Sequence, residues 1–366
     1  MKKFLSLSIA IIMILSLCAC GSSAPADAPA PAPTAVPAET PVPAASPEPA
    51  PEPTPMVTPS PEGEIFLTVS SITFSTVGES EDIYVGTVPA EDVIWKSGDE
   101  GVVSVENGIL TAVGVGAATV YAEYGEQHTS CTVSCLAWDE EELLTLPEEI
   151  LRSPKRIPVH LDNPPLSYFD DVLLMGDSIT YMCFTFESKS DLLGNVMFLT
   201  RGGTSLLGIQ NGSYNIYYQG QNIPIEESVA LSGRSKVFLM LGQNDLGYRT
   251  IDDTLASYET IIGRIREKSP DVEIYIQSLV HEWWEKGNSN SRNEKIDQYN
   301  IELEALAGEL GCSFLDVKKY IEDHRGTMAA PYNMDYGIHV NEEGCTEWMH
   351  ALLSYAYIEM MGENMK

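Results

Sequence analysis

The chain has 366 residues, 53 acidic against 21 basic side chains, a formal net charge of -32 and 44% hydrophobic residues. That length admits two or three domains, and the apolar fraction allows a sizeable core. So acidic a surface repels phosphate backbones and anionic lipid, which argues against nucleic acid as a partner and requires any membrane attachment to be covalent or hydrophobic.

Lys2 and Lys3 precede an apolar stretch from Phe4 to Leu17, too short to span a bilayer and of the length of a signal-peptide core. It ends in Leu17-Cys18-Ala19-Cys20-Gly21, which resembles the bacterial lipobox. The resemblance implies that residues 1–19 are a lipoprotein signal and that Cys20 carries diacylglycerol as the mature N-terminus. An ordinary secretory signal cut near Ala24 is the alternative. Lipidation would hold the protein on the membrane, extracytoplasmic and at the cell surface, without a spanning helix. Residues 20–62 are Ala/Pro-rich, as in Ala28-Pro29-Ala30-Pro31; such a segment favours extended polyproline II, buries no core and acts as a spacer.

Residues 63–136 change texture to short alternating segments. Strands are expected at Ile65–Val69, Asp82–Val88, Val93–Lys96, Val102–Val105, Ile109–Val113, Ala118–Glu123 and Thr129–Val133. The runs Val93-Ile94-Trp95-Lys96-Ser97, Val103-Ser104-Val105-Glu106-Asn107-Gly108 and Gly114-Val115-Gly116-Ala117-Ala118-Thr119-Val120 resemble a bacterial group 2 immunoglobulin-like domain. The resemblance implies a small all-β sandwich that serves as a spacer or, less simply, as a glycan- or protein-binding module. Trp95 then fills the core, and Gly108 and Gly114 occupy turns. Residues 137–165, with Pro154, Pro158, Pro164 and Pro165, read as a connector that packs partly on the domain beginning at residue 166.

From residue 166 to 366 strand-like and helix-like patterns alternate. Strands are expected at Val172–Met175, Val196–Leu199, Val237–Leu241, Ile274–Leu279 and Phe314–Val317, and helices chiefly at Asp252–Lys268, Arg292–Leu310 and Asn341–Met361. This alternation predicts an α/β fold, a parallel sheet with helices on both faces, whose ligands bind beyond the C-terminal strand ends. Three loops fall there: Gly176-Asp177-Ser178-Ile179-Thr180, Arg201-Gly202-Gly203-Thr204-Ser205 and Gly242-Gln243-Asn244-Asp245; His339 comes later, just before the last helix. Each piece alone has an ordinary reading. Ser178 could cap a helix, Asn244-Asp245 could form a turn, and Gly202-Gly203 could be a loose loop.

Together, in this order, the four pieces resemble the SGNH/GDSL hydrolase superfamily, which implies a flavodoxin-like fold and esterase, lipase, thioesterase or carbohydrate-deacetylase chemistry. Its serine maps onto Ser178, its glycine onto Gly203 (or Gly202), its asparagine onto Asn244 and its histidine onto His339. A serine hydroxyl attacks an ester only when a base takes its proton, and a histidine suits that task. The N–H groups of Ser178 and Gly203 and the Asn244 amide would form the oxyanion hole.

Among the other histidines, His128 lies in the β-rich segment, His160 in the connector, His324 in a polar stretch and His350 in the last helix. His281 is the nearest rival to His339, and with Trp283 and Trp284 it is a candidate cleft wall. The family's final Asp-x-x-His is altered, because Tyr336 stands three residues before His339 and Asp335 four before it. Either Gly337 permits a bulge through which Asp335 completes a triad, or a backbone carbonyl orients the imidazole and the site is a dyad. No CxxC pair or His/Cys cluster argues for a metal, and no cofactor is implied. The sequence thus points to a serine esterase that removes short acyl groups, such as acetyl, from polysaccharide. The competing readings are an adhesin on a hydrolase scaffold and an acyltransferase or lipase using the same residues.

Overall fold

A computed structural model describes residues 65–86, 88, 92–283, 291–335 and 337–360. The expected signal, Cys20 and the Ala/Pro-rich spacer lie outside the described residues, as does Trp284. No helix among the described residues is long and apolar enough to cross a membrane.

The β-rich region contains β1 (Phe66–Leu67), β2 (Val69–Thr76), β3 (Ser80–Asp82), β4 (Val85–Gly86), β5 (Ile94–Ser97), β6 (Val103–Glu106), β7 (Ile109–Ala112), β8 (Gly116–Tyr124) and β9 (Gln127–Ala137). Period-two alternation is plain in β9, where Cys131, Val133, Cys135 and Ala137 turn inward while Thr132 stays exposed. Cys131, Val133 and Cys135 meet Ile72, Phe74, Val103, Leu110 and Val120 in one core. Trp95 packs against that core over Gly108, whose φ of +84° and near approach to Ile83 O suit glycine. Gly114 is needed for space instead, since a Cβ there would collide with Gly101 O.

After β9 come α1 (Glu140–Leu143), capped by Asp139, and α2 (Glu148–Leu151). Then β10 (Arg156–Pro158) pairs antiparallel with β2, so the connector supplies the edge of a five-stranded sheet ordered β10-β2-β9-β8-β5. The sequence predicts a connector at this place; the pairing is a tertiary choice that three residues do not announce.

The α/β domain holds β11 (Val172–Gly176), α3 (Ser178–Ser190), β12 (Met197–Thr200), α4 (Leu206–Gln210), a hairpin of β13 (Ile216–Tyr218) and β14 (Gln221–Ile223), α5 (Ile225–Ser232), β15 (Lys236–Met240), α6 (Ile251–Lys268), β16 (Glu273–Gln277), α7 (Ser291–Glu309), β17 (Ser313–Leu315) and α8 (Glu342–Met360). The sheet is ordered β12-β11-β15-β16-β17 and every neighbouring pair is parallel. This is a doubly wound order that reverses direction at β11, which opens a crevice at that strand's C-terminal end. Its strands read as unbroken apolar runs because both faces are covered; β11 is buried at every residue. In α6 the buried face is Tyr258, Ile261, Ile262 and Ile265, at helical spacing.

The β-rich region and the α/β domain form one compact unit, which differs from the spacer that the sequence suggests. Tyr320 and Ala351 of the α/β domain lie in the β-rich core, and Phe66 meets Tyr357 of α8 edge-on at 4.7 Å. A charge network seals the seam. Arg156 bonds Glu81 at 2.5 Å, Lys319 bonds Glu81 at 2.9 Å, and Glu322 lies 3.0 Å from Lys318, 3.6 Å from Arg156 and 3.9 Å from Lys155. Burial opposes ionisation of Glu322, yet Lys318, Lys155 and Arg156 outweigh it and hold the carboxyl well below its usual range.

Glu322→Gln should therefore cost on the order of 1–3 kcal/mol, because it removes the charge shared by Lys318, Arg156 and Lys155 while each keeps a second carboxylate in Asp297, Glu81 or Glu79. The lowered pKa means that the stabilising effect is present above the unfolded carboxyl's range near 4.5 and is lost as pH falls below it. Chemical denaturation of the full chain at pH 7 should show one transition for both regions, shifted down in the variant; two separable transitions would refute the shared core.

Candidate active site

β11 delivers Gly176 to the crevice, where a Cβ would collide with Thr180 Oγ1 and stand 2.8 Å from Met240 O. The chain then turns directly into α3. Asp177 is the N-cap, its Oδ1 accepting from Ile179 N at 2.9 Å. Capping is thus done by Asp177, and Ser178 sits at the first helical position with its hydroxyl free of that duty. Ser178 is half-buried, and neither its Oγ nor its N–H has a hydrogen-bond partner among the described residues. The positive end of α3 lies at that N–H.

The loop after β12 is tied back by Arg201 N donating to Gly176 O at 3.2 Å and by Thr204 Oγ1 donating to Arg201 O at 2.6 Å. Gly203 has φ +71°, and an added Cβ would touch only Tyr214 Oη at 3.5 Å, so the backbone conformation rather than space asks for glycine. Its N–H also has no acceptor among the described residues.

The loop after β15 begins at Gly242, φ +121°, where a Cβ would meet Tyr299 Oη at 2.5 Å. Asn244 Nδ2 donates to Asp177 Oδ2 at 2.9 Å and to Thr204 O at 3.0 Å. One side-chain amide thus joins all three loops. At rest both of its hydrogens are engaged, whereas the family resemblance assigns the amide to an oxyanion. Asp245, fully buried, accepts from Leu206 N at 2.7 Å and Leu207 N at 3.0 Å and so pins the first turn of α4 behind Gly203. Sequence reasoning leaves both carboxylates without a role; the available signal is their position, each directly beside a singled-out residue.

His339 lies in the loop before α8. Its Nδ1 is 2.5 Å from Asp335 Oδ2, while Asp335 Oδ1 accepts from His339 N at 3.1 Å and Ile338 N at 3.2 Å. The four-residue spacing is accommodated at Gly337, φ +111°, where a Cβ would collide with Trp283 O. Burial pushes the Asp335 carboxyl upward, but the bonds from the His339 ring and from the two N–H groups bring it below its ordinary value. Trp283 N donates to Gly337 O at 2.8 Å, so Trp283 supports this loop. His339 Nε2 has no partner, and no hydrogen bond joins it to Ser178 Oγ, among the described residues.

The other histidines are occupied elsewhere. His281 is buried, with Nε2 2.6 Å from Asp297 Oδ1. His324 Nδ1 is 3.0 Å from Ser75 Oγ, and burial, then Lys155, push its pKa down to about 4. His160 and His350 stack on each other, and His128 lies on β9.

Asp177 is raised to about 6: burial dominates, opposed by the Ile179 N–H and by the charge of His339, while Asp245 adds repulsion. Because the folded pKa exceeds the unfolded 3.8, the native state holds the proton more tightly, and stability on the order of 3 kcal/mol is lost as pH rises from about 4 through about 6. Asp177→Asn removes this titration. The variant's melting temperature relative to wild type should rise between pH 4 and pH 7; a pH-independent difference would show that Asp177 is not strained by burial.

Residues 174–346 match the GDSL-like Lipase/Acylhydrolase family, and the α/β domain is a hydrolase domain of the SGNH/GDSL type. Similar solved structures include a GDSL-like lipase from Bacteroides thetaiotaomicron (16% identity, 54% of this chain, 92% of that chain, TM-score 0.39). Others are a carbohydrate esterase family 3 protein from Talaromyces cellulolyticus (18% identity, 52% and 97%, TM-score 0.37) and a catalytic mutant of an acetylxylan esterase from Geobacillus stearothermophilus (16% identity, 52% and 93%, TM-score 0.36). No curated protein matches the chain.

Proposed function

We propose that the protein is a serine esterase in which Ser178 is the nucleophile, His339 the base and Asp335 the group that orients it. The observation that carries this reading is the 2.5 Å contact of Asp335 Oδ2 with His339 Nδ1, which leaves Nε2 free. In the reaction Ser178 Oγ attacks the acyl carbon while His339 Nε2 takes its proton, and the same nitrogen returns the proton to the leaving alcohol. Water then repeats the cycle on the acyl-enzyme. The developing oxyanion is met by the N–H groups of Ser178 and Gly203, both without acceptors at rest among the described residues. Asn244 joins them by redirecting an N–H from the Thr204 carbonyl, a neutral acceptor, to a charged one.

The substrate class we assign is a short acyl ester, acetyl above all, on carbohydrate. Its support is the expected address: a lipid on Cys20 and an extended 20–62 spacer would present the enzyme at the cell surface, where acylated glycans are met first. The β-rich region is assigned the immunoglobulin-like fold on the motifs around Trp95 and Gly108.

Ser178→Ala should reduce kcat on p-nitrophenyl acetate by ~10⁴-fold or more and abolish labelling by a serine-directed phosphonate. Asp335→Asn should lower kcat by up to ~10⁴-fold with little change in KM. Full activity in Ser178→Ala would end the esterase reading, and wild-type kinetics in Asp335→Asn would reduce the site to a dyad. For the address, Cys20→Ala should move the protein from the membrane fraction to the soluble export fraction; unchanged fractionation would exclude the lipid anchor.

A further inference from the structure

On the side of α8 that meets the connector, three side chains converge whose chemistry is that of metal ligands. Glu347 and His350 are three residues apart on α8 and therefore share a face. His160 arrives from the segment just after β10. His160 Nε2 lies 3.2 Å from Glu347 Oε1 and 3.3 Å from Oε2, and His350 Nδ1 lies 3.7 Å from Oε2. The imidazoles stack, with centroids 3.8 Å apart, and the three donor atoms all lie within 4.8 Å of one another.

An independent observation is the state of His350. Its side chain is 9% exposed, yet Nδ1 has no hydrogen-bond partner. A buried ring nitrogen left unpaired is costly, and this one faces the carboxylate at a distance too long for a hydrogen bond. His160, by contrast, has 58% of its side chain exposed, which leaves an entry path.

We propose that His160 Nε2, His350 Nδ1 and the Glu347 carboxylate bind one divalent transition-metal ion of the zinc class. Bonds of ~2.0–2.2 Å in a tetrahedral site set donor atoms about 3.3–3.5 Å apart. The His160–Glu347 pair already meets that spacing, and a small rotation of the exposed His160 ring, with a modest approach of His350, completes the set. Two imidazoles and one carboxylate favour zinc over calcium or magnesium, which take oxygen ligands. Water fills the fourth position. The ion clamps the connector to α8, the helix that runs on from the His339 loop. It takes no part in the chemistry at Ser178, and the proposal stands whether or not that chemistry is ester hydrolysis.

The test uses the full chain, stripped with chelator and titrated with Zn²⁺, Co²⁺ and Mg²⁺. One Zn²⁺ should bind and raise the melting temperature, Mg²⁺ should do neither, and Co²⁺ should give visible bands of a tetrahedral nitrogen/oxygen site. His160→Gln, at an exposed position that the fold tolerates, should weaken Zn²⁺ binding at least ~10–100-fold, the loss typical of even an outer partner of a metal site. His350→Gln should do the same. Thiolate charge-transfer bands would assign the ion to cysteine instead. Equal affinity in wild type and His160→Gln, or no Zn²⁺ binding at all, would leave the stacked imidazoles as packing only. Each of these three results overturns the proposal.

Discussion

The crevice at the end of β11 is assembled from three loops that no covalent bond links, and the Asn244 amide is what registers them. It reaches Asp177 on one side and Thr204 on the other, so a displacement of either of those loops breaks its bond to Asn244, and a displacement of the Asn244 loop breaks both. This arrangement requires a buried carboxylate at position 177, and burial imposes a penalty visible in its raised pKa. The penalty is partly offset by the bonds from Ile179 N and Asn244. The same residue caps α3, which frees the neighbouring hydroxyl. Capping, loop registration and exposure of Ser178 are three results of a single side chain.

The β-rich region is bound to this assembly more tightly than its texture suggests. A hinged module would meet the hydrolase domain through a polar, hydrated surface. Here Tyr320 and Ala351 are core residues of the β-rich region, and β10 is borrowed from the connector. The charges at the seam are arranged so that each buried carboxylate, Glu81 or Glu322, meets at least two cations. Such a network contributes little net stability over a hydrophobic equivalent but penalises any misplacement heavily, which fixes how the two regions dock.

Much of this is legible in the sequence. The five sheet strands and the helices around residues 251–268, 291–309 and 342–360 follow from apolar runs and helical periodicity, which local spacing encodes. Ser178, Gly203, Asn244, Asp335 and His339 stand out because strand ends and the final loop carry their motifs. The start of α3 at Ser178 does not, since Asp-Ser-Ile-Thr allows either residue as the cap and only the Asp177–Ile179 bond decides between them. Neither do the roles of Asp177 and Asp245, which depend on partners 38 to 67 residues away. The pairing of β10 with β2 and the Glu322 cluster are hidden for the same reason: spacing along the chain says nothing about contacts across it. His160 and His350, separate and unremarkable in the sequence, become neighbours only when the connector folds against α8.

That helix links the two halves of the molecule. At its start Asn341 Oδ1, two residues beyond His339, accepts from Gly344 N at 3.1 Å, while Asn341 Nδ2 donates to Pro331 O. Further along, Trp348 Nε1 donates to Gln277 Oε1 under β16. Ala351 then enters the β-rich core, and Tyr357 meets Phe66. The loop that carries His339 therefore runs directly into a helix that packs further along against the β-rich region. α8 is in this sense the shared element of the compact unit, with the His339–Asp335 loop at its start and contacts to the β-rich core further along.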